Sequence, residues 1–281
     1  VSSTSRIAEA VRFRAGDEVA ELDPSATPGF SGAKADAATV QPQRSKRLAE
    51  LQEMLYASSK TSDERRSVLL ILQGMDAAGK GGIVKHVVGA VNPMGVRYTA
   101  FGKPTPEELD HHFLWRIRRA LPPSGHIGVF DRSHYEDVLI VRVHNLVPPS
   151  VWEPRYEEIN AFERELVDGG TTLVKVAMFI SLDEQKKQLL ERLDDPTKYW
   201  KYNPGDIDER LRWPQYQEAY QAMLDRTSTD YAPWHVVPAD RRWYSRLAVT
   251  ELLIGALDGL DLSYPPADFD IAAERQRLLS S

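Results

Sequence analysis

The sequence predicts an α/β fold in one domain, with about five mostly parallel strands laid between helices. Three observations carry this. Short apolar runs alternate with helix-periodic segments across short turns, the pattern of repeated strand–helix–strand units. The run Val68–Leu72 leads into Gly74-Met75-Asp76-Ala77-Ala78-Gly79-Lys80, which has the G-x-x-x-x-G-K spacing of a phosphate-binding loop, set between a strand and a helix as that chemistry requires. The run Thr171–Ser181, TTLVKVAMFIS, is the clearest β-branched stretch and reads as a central strand.

In chain order, residues 1–45 show little periodicity and read as an N-terminal arm, with Asp23–Pro42 an extended segment or linker. The chain starts at Val1, and an initiator region is expected ahead of it. Leu48, Leu51, Met54 and Leu55 give Arg47–Ala57 helical spacing. A core of residues 46–262 follows. Its first strand and loop lead to a helix over Lys80–Val91, a turn at Asn92-Pro93, and a second strand at Val96–Phe101. Thr105 before Pro106 reads as the N-cap of a helix running to Leu121. His126–Phe130 is a short strand ending at Asp131, and helices are predicted over Ser133–Val143, Trp152–Val167 and Asp183–Leu193. The basic-aromatic stretch at about residues 195–213 carries Lys198, Lys201 and Arg210 among tyrosines and tryptophans, and reads as a mobile lid. Trp234–Val237 is the last strand, Arg241–Leu257 a closing helix, and residues 263–281 a loosely packed tail.

The loop carries the chemistry. Glycines let the backbone curl until N–H groups point at one anion, and Lys80 reaches for terminal phosphates. Gly81 stands where a metal-binding Ser or Thr is usual. A magnesium ion then needs carboxylates instead, and Asp76 inside the loop is the nearest. Asp131, at the carboxyl end of an apolar strand, falls where the ligand crevice of an open parallel sheet lies. It serves as the second carboxylate, as a helix N-cap, or as both.

Composition is ordinary for a globular protein, at 42% hydrophobic and 27% charged residues. No cysteine is present, which excludes disulfides, cysteine-held iron–sulfur clusters and thiolate nucleophiles. No apolar run is long enough to cross a membrane, and a cytoplasmic location is expected. The net charge of −6 argues against general nucleic-acid binding. Between Asp76 and Arg142, however, nine Lys/Arg face seven Asp/Glu, so a locally basic site on an acidic protein suits a polyanion.

GMDAAGKGG, FGKPTPEELDHHFLWRI, FDRSHYEDVLIVRVH, and DPTKYWKYNPGDIDERLRW through APWHVVPADRRWY together resemble the polyphosphate kinase 2 family. ELDPSATPGF looks like its N-terminal arm. The resemblance implies a thymidylate-kinase-like P-loop kinase fold with a helical lid. It also implies magnesium-dependent (manganese is the alternative), reversible transfer of the terminal phosphoryl group of inorganic polyphosphate to a nucleotide. SHYEDVLIVRVH looks like the class III branch, which accepts AMP and ADP, with guanine nucleotides left open. Asp76 and Asp131 match metal-binding aspartates, Lys80 the loop lysine, and Arg132 the arginine that steadies the transferred group. Gly74, Ala77, Ala78, Gly79, Gly81 and Gly82 form the phosphate loop, and in this family the missing hydroxyl at Gly81 is no departure. Lys85, Lys103, Arg116 and Arg142 are implied to line a polyphosphate channel, and Lys198, Lys201 and Arg210 to close over it. Glu136 and Asp137 match an acidic pair near the nucleotide. Family members form dimers or tetramers, and the long C-terminal helix is a candidate interface. Two rival readings stand beside this one: an ATP-dependent nucleoside-monophosphate kinase and a silent phosphate-binding module.

Overall fold

The computed structural model describes residues 6–60 and 64–281. The first five residues of the predicted arm, and residues 61–63 of the predicted core, lie outside the described residues. Five strands form one sheet: β1 (Ser67–Gly74), β2 (Val96–Ala100), β3 (Ile127–Asp131), β4 (Thr171–Phe179) and β5 (Trp234–Pro238). The order is β2-β3-β1-β4-β5 and every pairing is parallel. β1 lies at the centre. β4, read from sequence as central, is interior, between β1 and β5. Consecutive positions of β1 and β4 are buried, which requires helices over both faces and explains why Val68–Leu72 reads as an unbroken apolar run and Leu173–Phe179 as one interrupted only by Lys175.

The closing helix Arg242–Asp258 packs on β1, β4 and β5, and the helix Arg155–Asp168 packs on β4 with Trp213–Thr227 beside it. Eleven residues of the closing helix are buried, so the helix offered as an interface is taken up by the core.

The largest departure from the sequence reading is at the N-terminal side. The helix expected over Arg47–Ala57 spans Lys34–Ser58, with Pro42 inside it. Its start is secured where Asp36 accepts from the Ala33 N–H at 2.7 Å. Contacts with the closing helix hold the rest: Gln41 donates to Thr250 at 2.9 Å, Arg44 forks onto Glu251, and Arg47 pairs with Asp258 at 2.7 Å. The segment before it is no free arm. Ile7, Val11 and Phe13 are buried, and Phe13 N–H donates to Trp234 C=O while Val236 N–H donates to Val11 C=O. That pairing covers the open edge of β5.

Three predicted helices are broken. The one expected over Lys80–Val91 stops at His86 and gives way to a 3-10 turn, Val88–Ala90. The Thr105 cap forms with Glu108 in a reciprocal box, but its helix stops at Leu109 and resumes at Trp115–Ala120. Ser133–Val143 divides into a 3-10 turn, His134–Asp137, and a short helix, Ile140–Val143. The tail carries one helix, Ile271–Leu279, with no buried residue.

Candidate active site

The phosphate loop leaves β1 at Gly74, where a Cβ would stand 2.8 Å from the Met178 carbonyl oxygen of β4; only glycine fits. Gly79 has φ +100°, the left-handed region open to glycine, and starts the helix Lys80–His86. Lys80 folds back over its own loop, donating to the carbonyls of Gly74 at 2.5 Å and Met75 at 3.3 Å. Burial pulls its pKa down, and Asp76 pushes the other way.

Asp131 ends β3, beside the loop that ends β1, because Leu72 and Asp131 are register partners. It does not cap a helix: Ser133 takes that place, accepting from Tyr135 N–H at 3.2 Å. Arg132 holds a left-handed backbone, φ +62°, fixed by its N–H donating to Leu72 C=O. Its guanidinium donates to Asp76 at 2.6 Å. Burial alone would lower the Arg132 pKa, but the carboxylates of Glu136 and Asp76 outweigh it and hold the group charged.

These groups line a cavity of about 880 Å³. Asp76, Ala77, Gly79, Lys80, Gly81, Gly82, Lys85, Asp131, Arg132, Lys198 and Lys201 are all on its wall. A second cavity of about 170 Å³ is lined by Gly74, Glu136, Glu209, Tyr216 and Tyr220. The two share Asp76, Arg132, Asn203 and Asp206, so the Asp76–Arg132 pair stands where they meet. Burial and the nearby Asp76 carboxylate push Asp206 up to about 6, while Arg192 holds it at 3.1 Å.

Other predicted residues go elsewhere. Arg116 donates to Gly102 C=O at 3.0 Å and lies over Phe101, and Arg142 donates to Tyr156 Oη at 3.2 Å and lies over Trp152. Lys103 is exposed, and like those two it is absent from the lining of both cavities; Ala78 is buried under the loop. Arg210 is not on either wall. It donates to Leu182 C=O and to Gln185, whose amide donates to Asp76 C=O, so it ties the lid to the phosphate loop through Gln185. The Glu136–Asp137 pair is split. Glu136 accepts from Gln73 at 2.9 Å on the smaller cavity, whereas Asp137 is paired with Arg155 at 2.9 Å and burial raises its pKa.

A family model described as polyphosphate kinase 2 matches residues 34–264. The chain belongs to the polyphosphate kinase 2 family. The AMP/ADP-polyphosphate phosphotransferase of Meiothermus ruber is 47% identical over 88% of this chain and 91% of its own. The ADP-polyphosphate phosphotransferase of Rhodopseudomonas palustris is 43% identical, over 83% and 82%. The crystal structure of polyphosphate kinase 2 from Arthrobacter aurescens TC1 matches with a TM-score of 0.96 at 53% identity, covering 100% of this chain and 99% of that one. The fold is thus that of a polyphosphate kinase 2, a P-loop-type kinase.

Sequence reasoning missed several groups on the wall of this polyphosphate kinase 2 cavity: Tyr98, Arg192, Asp206, Arg242 and Arg246 among them. Arg242 and Arg246 follow β5 by a few residues. The crevice rule that selected Asp131 after β3 points to the end of β5 as well.

Proposed function

We propose that this protein transfers the terminal phosphoryl group of inorganic polyphosphate to AMP and ADP, reversibly. The observation that carries the reading is the pair of cavities meeting at Asp76 and Arg132, the larger lined by cations from the loop helix, the lid and the closing helix. The named activities of the relatives support it. The donor lies in the larger cavity, and the acceptor phosphate enters from the side of Glu136.

Phosphoryl transfer has a loose transition state with charge spread over equatorial oxygens, so positioning and electrostatics do most of the work. Lys80 and Arg132 meet that charge; Arg132 is kept cationic and aimed by Asp76. Lys198 and Lys201 bring the lid over the donor and exclude water that would hydrolyse it. Asp76 and Asp131 suit a magnesium ion, with manganese as the substitute. Among the described residues, Asp76 keeps one oxygen after serving Arg132, and the Asp131 side chain has only the Tyr98 hydroxyl, at 3.5 Å. Among the described residues no group of three or more His, Asp or Glu side chains forms a cage, which fits an ion that takes its remaining ligands from phosphate and water. Bound there, the ion offsets the repulsion between donor and acceptor phosphates. Homodimeric or homotetrameric assembly and a cytoplasmic location belong to the same reading; among the described residues no helix is long and apolar enough to cross a membrane.

The test is incubation with magnesium, polyphosphate and AMP in the absence of ATP. ADP followed by ATP is expected. ADP alone removes ADP as an acceptor, and no product overturns the reading.

A further inference from the structure

Val68–Leu72 is apolar, but the next residue of β1, set just before the phosphate loop, is Gln73. Its side chain is fully buried, and a buried amide is costly unless both of its ends are bonded. Both ends find partners on the segment that follows β3. Ser133 Oγ donates to Gln73 Oε1 at 3.1 Å, and Gln73 Nε2 donates to Glu136 Oε1 at 2.9 Å. A carboxylate only accepts, so the nitrogen end must face Glu136 and the amide stands one way round.

The segment it grips carries groups that line both cavities. Asp131 and Arg132 come directly before Ser133, and Arg132 N–H donates to Leu72 C=O, next to Gln73. Glu136 lines the smaller cavity, and against burial its carboxylate and that of Asp76 keep Arg132 charged. Gln73 itself is on the wall of neither cavity. His134 and Tyr135, between its two partners, are held separately by Glu163. The segment therefore has its own anchors to the core. What the amide adds is the aim of Ser133 and Glu136 relative to the end of β1.

We propose that Gln73 is a positioning residue for phosphoryl transfer: it locks the Ser133–Glu136 turn to the end of β1, so that Arg132 and the Glu136 carboxylate stand in fixed relation to the phosphate loop. It touches no substrate and acts through Glu136. The inference rests on the transfer reading. A misplacement of about 1 Å in groups that meet a transition state costs about 10²-fold in rate, so a buried amide well away from the phosphates controls turnover.

Transfer from polyphosphate to AMP is measured per folded molecule for the wild type, Gln73→Met, Gln73→Glu, Glu136→Gln and the double variant Gln73→Glu, Glu136→Gln. Gln73→Met, similar in length but without either bond, is expected to lower kcat by about 10–10²-fold while the KM for polyphosphate changes by less than about threefold. Gln73→Glu sets two carboxyl groups against each other and is expected to lose as much. In the Glu136→Gln background the same change is expected to cost less than about threefold, because the introduced carboxylate then accepts from the introduced amide. Unchanged kcat in Gln73→Met, a loss confined to the polyphosphate KM, or equal losses from Gln73→Glu in both backgrounds overturns the positioning role alone. The two backgrounds decide the question even where Gln73→Met fails to fold. No transfer in the wild type overturns the transfer reading, and this role with it.

Discussion

Lys175 and Lys80 are both withdrawn from water, and burial lowers the pKa of each, but they are neutralised differently. Lys175, in the middle of β4, spends its three protons on Glu163 at 2.7 Å, Thr227 C=O at 2.7 Å and Tyr135 Oη at 3.0 Å. Glu163 also accepts from Tyr135 Oη at 2.6 Å and faces His134 Nε2 at 3.3 Å. Among the described residues, Lys80 has only carbonyls of its own loop as direct partners, and it stands on the wall of an open cavity. A buried charge with a matched counter-ion joins elements together. One resting on neutral carbonyls keeps its field for an incoming anion.

The largest effect that tests this contrast is on stability. Lys175→Met strands a buried carboxylate and is expected to cost about 3–5 kcal/mol in denaturant unfolding, with the double variant Lys175→Met, Glu163→Leu recovering most of it. A single variant as stable as wild type would break the comparison. At the other lysine the loss moves to catalysis. Lys80→Met, or Asp131→Asn beside it, is expected to cut turnover by about 10²–10³-fold while changing stability by less than about 1 kcal/mol. Near-normal turnover would remove these residues from the site.

A smaller effect sharpens the architectural half. His235 on β5 bonds through Nδ1 to the Lys175 carbonyl, and burial pushes its pKa from 6.5 to about 4. In that window the unfolded chain binds the proton and the folded one does not, so stability rises with pH. Unfolding free energy is expected to be greatest above pH 6.5 and to fall toward pH 4 by about 3 kcal/mol at most. His235→Gln should flatten that slope; an unchanged slope would assign it to other groups.

β1 was legible because burial on both faces makes it an unbroken apolar run, whereas β2, VRYTA, has no buried position; the phosphate loop was legible because glycine spacing reports backbone geometry. The helix Lys34–Ser58 was not. Pro42 reads locally as a breaker, and the helix is held by Thr250, Glu251 and Asp258, two hundred residues away. Arg116 and Arg142 sat in the right motifs, but motif position does not say where a long side chain turns. Phe101 and Trp152 took their guanidinium planes. Lys175 stood in plain view within TTLVKVAMF, but its partner Glu163 lies in a different periodic segment, and only the fold joins them.

The all-parallel sheet also bears on how the protein is made. Among the described residues, no strand has a hairpin partner next to it in the chain. Val68 of β1 pairs with Ile127 on one side and with Thr172 on the other, about a hundred residues later. Until β4 leaves the ribosome, Val68–Leu72, five apolar residues without charge or proline, has an open edge. Such segments stick to one another, and distant pairings close slowly. The yield of folded protein is therefore set by how long that edge stays open and at what concentration, more than by how stable the finished sheet is.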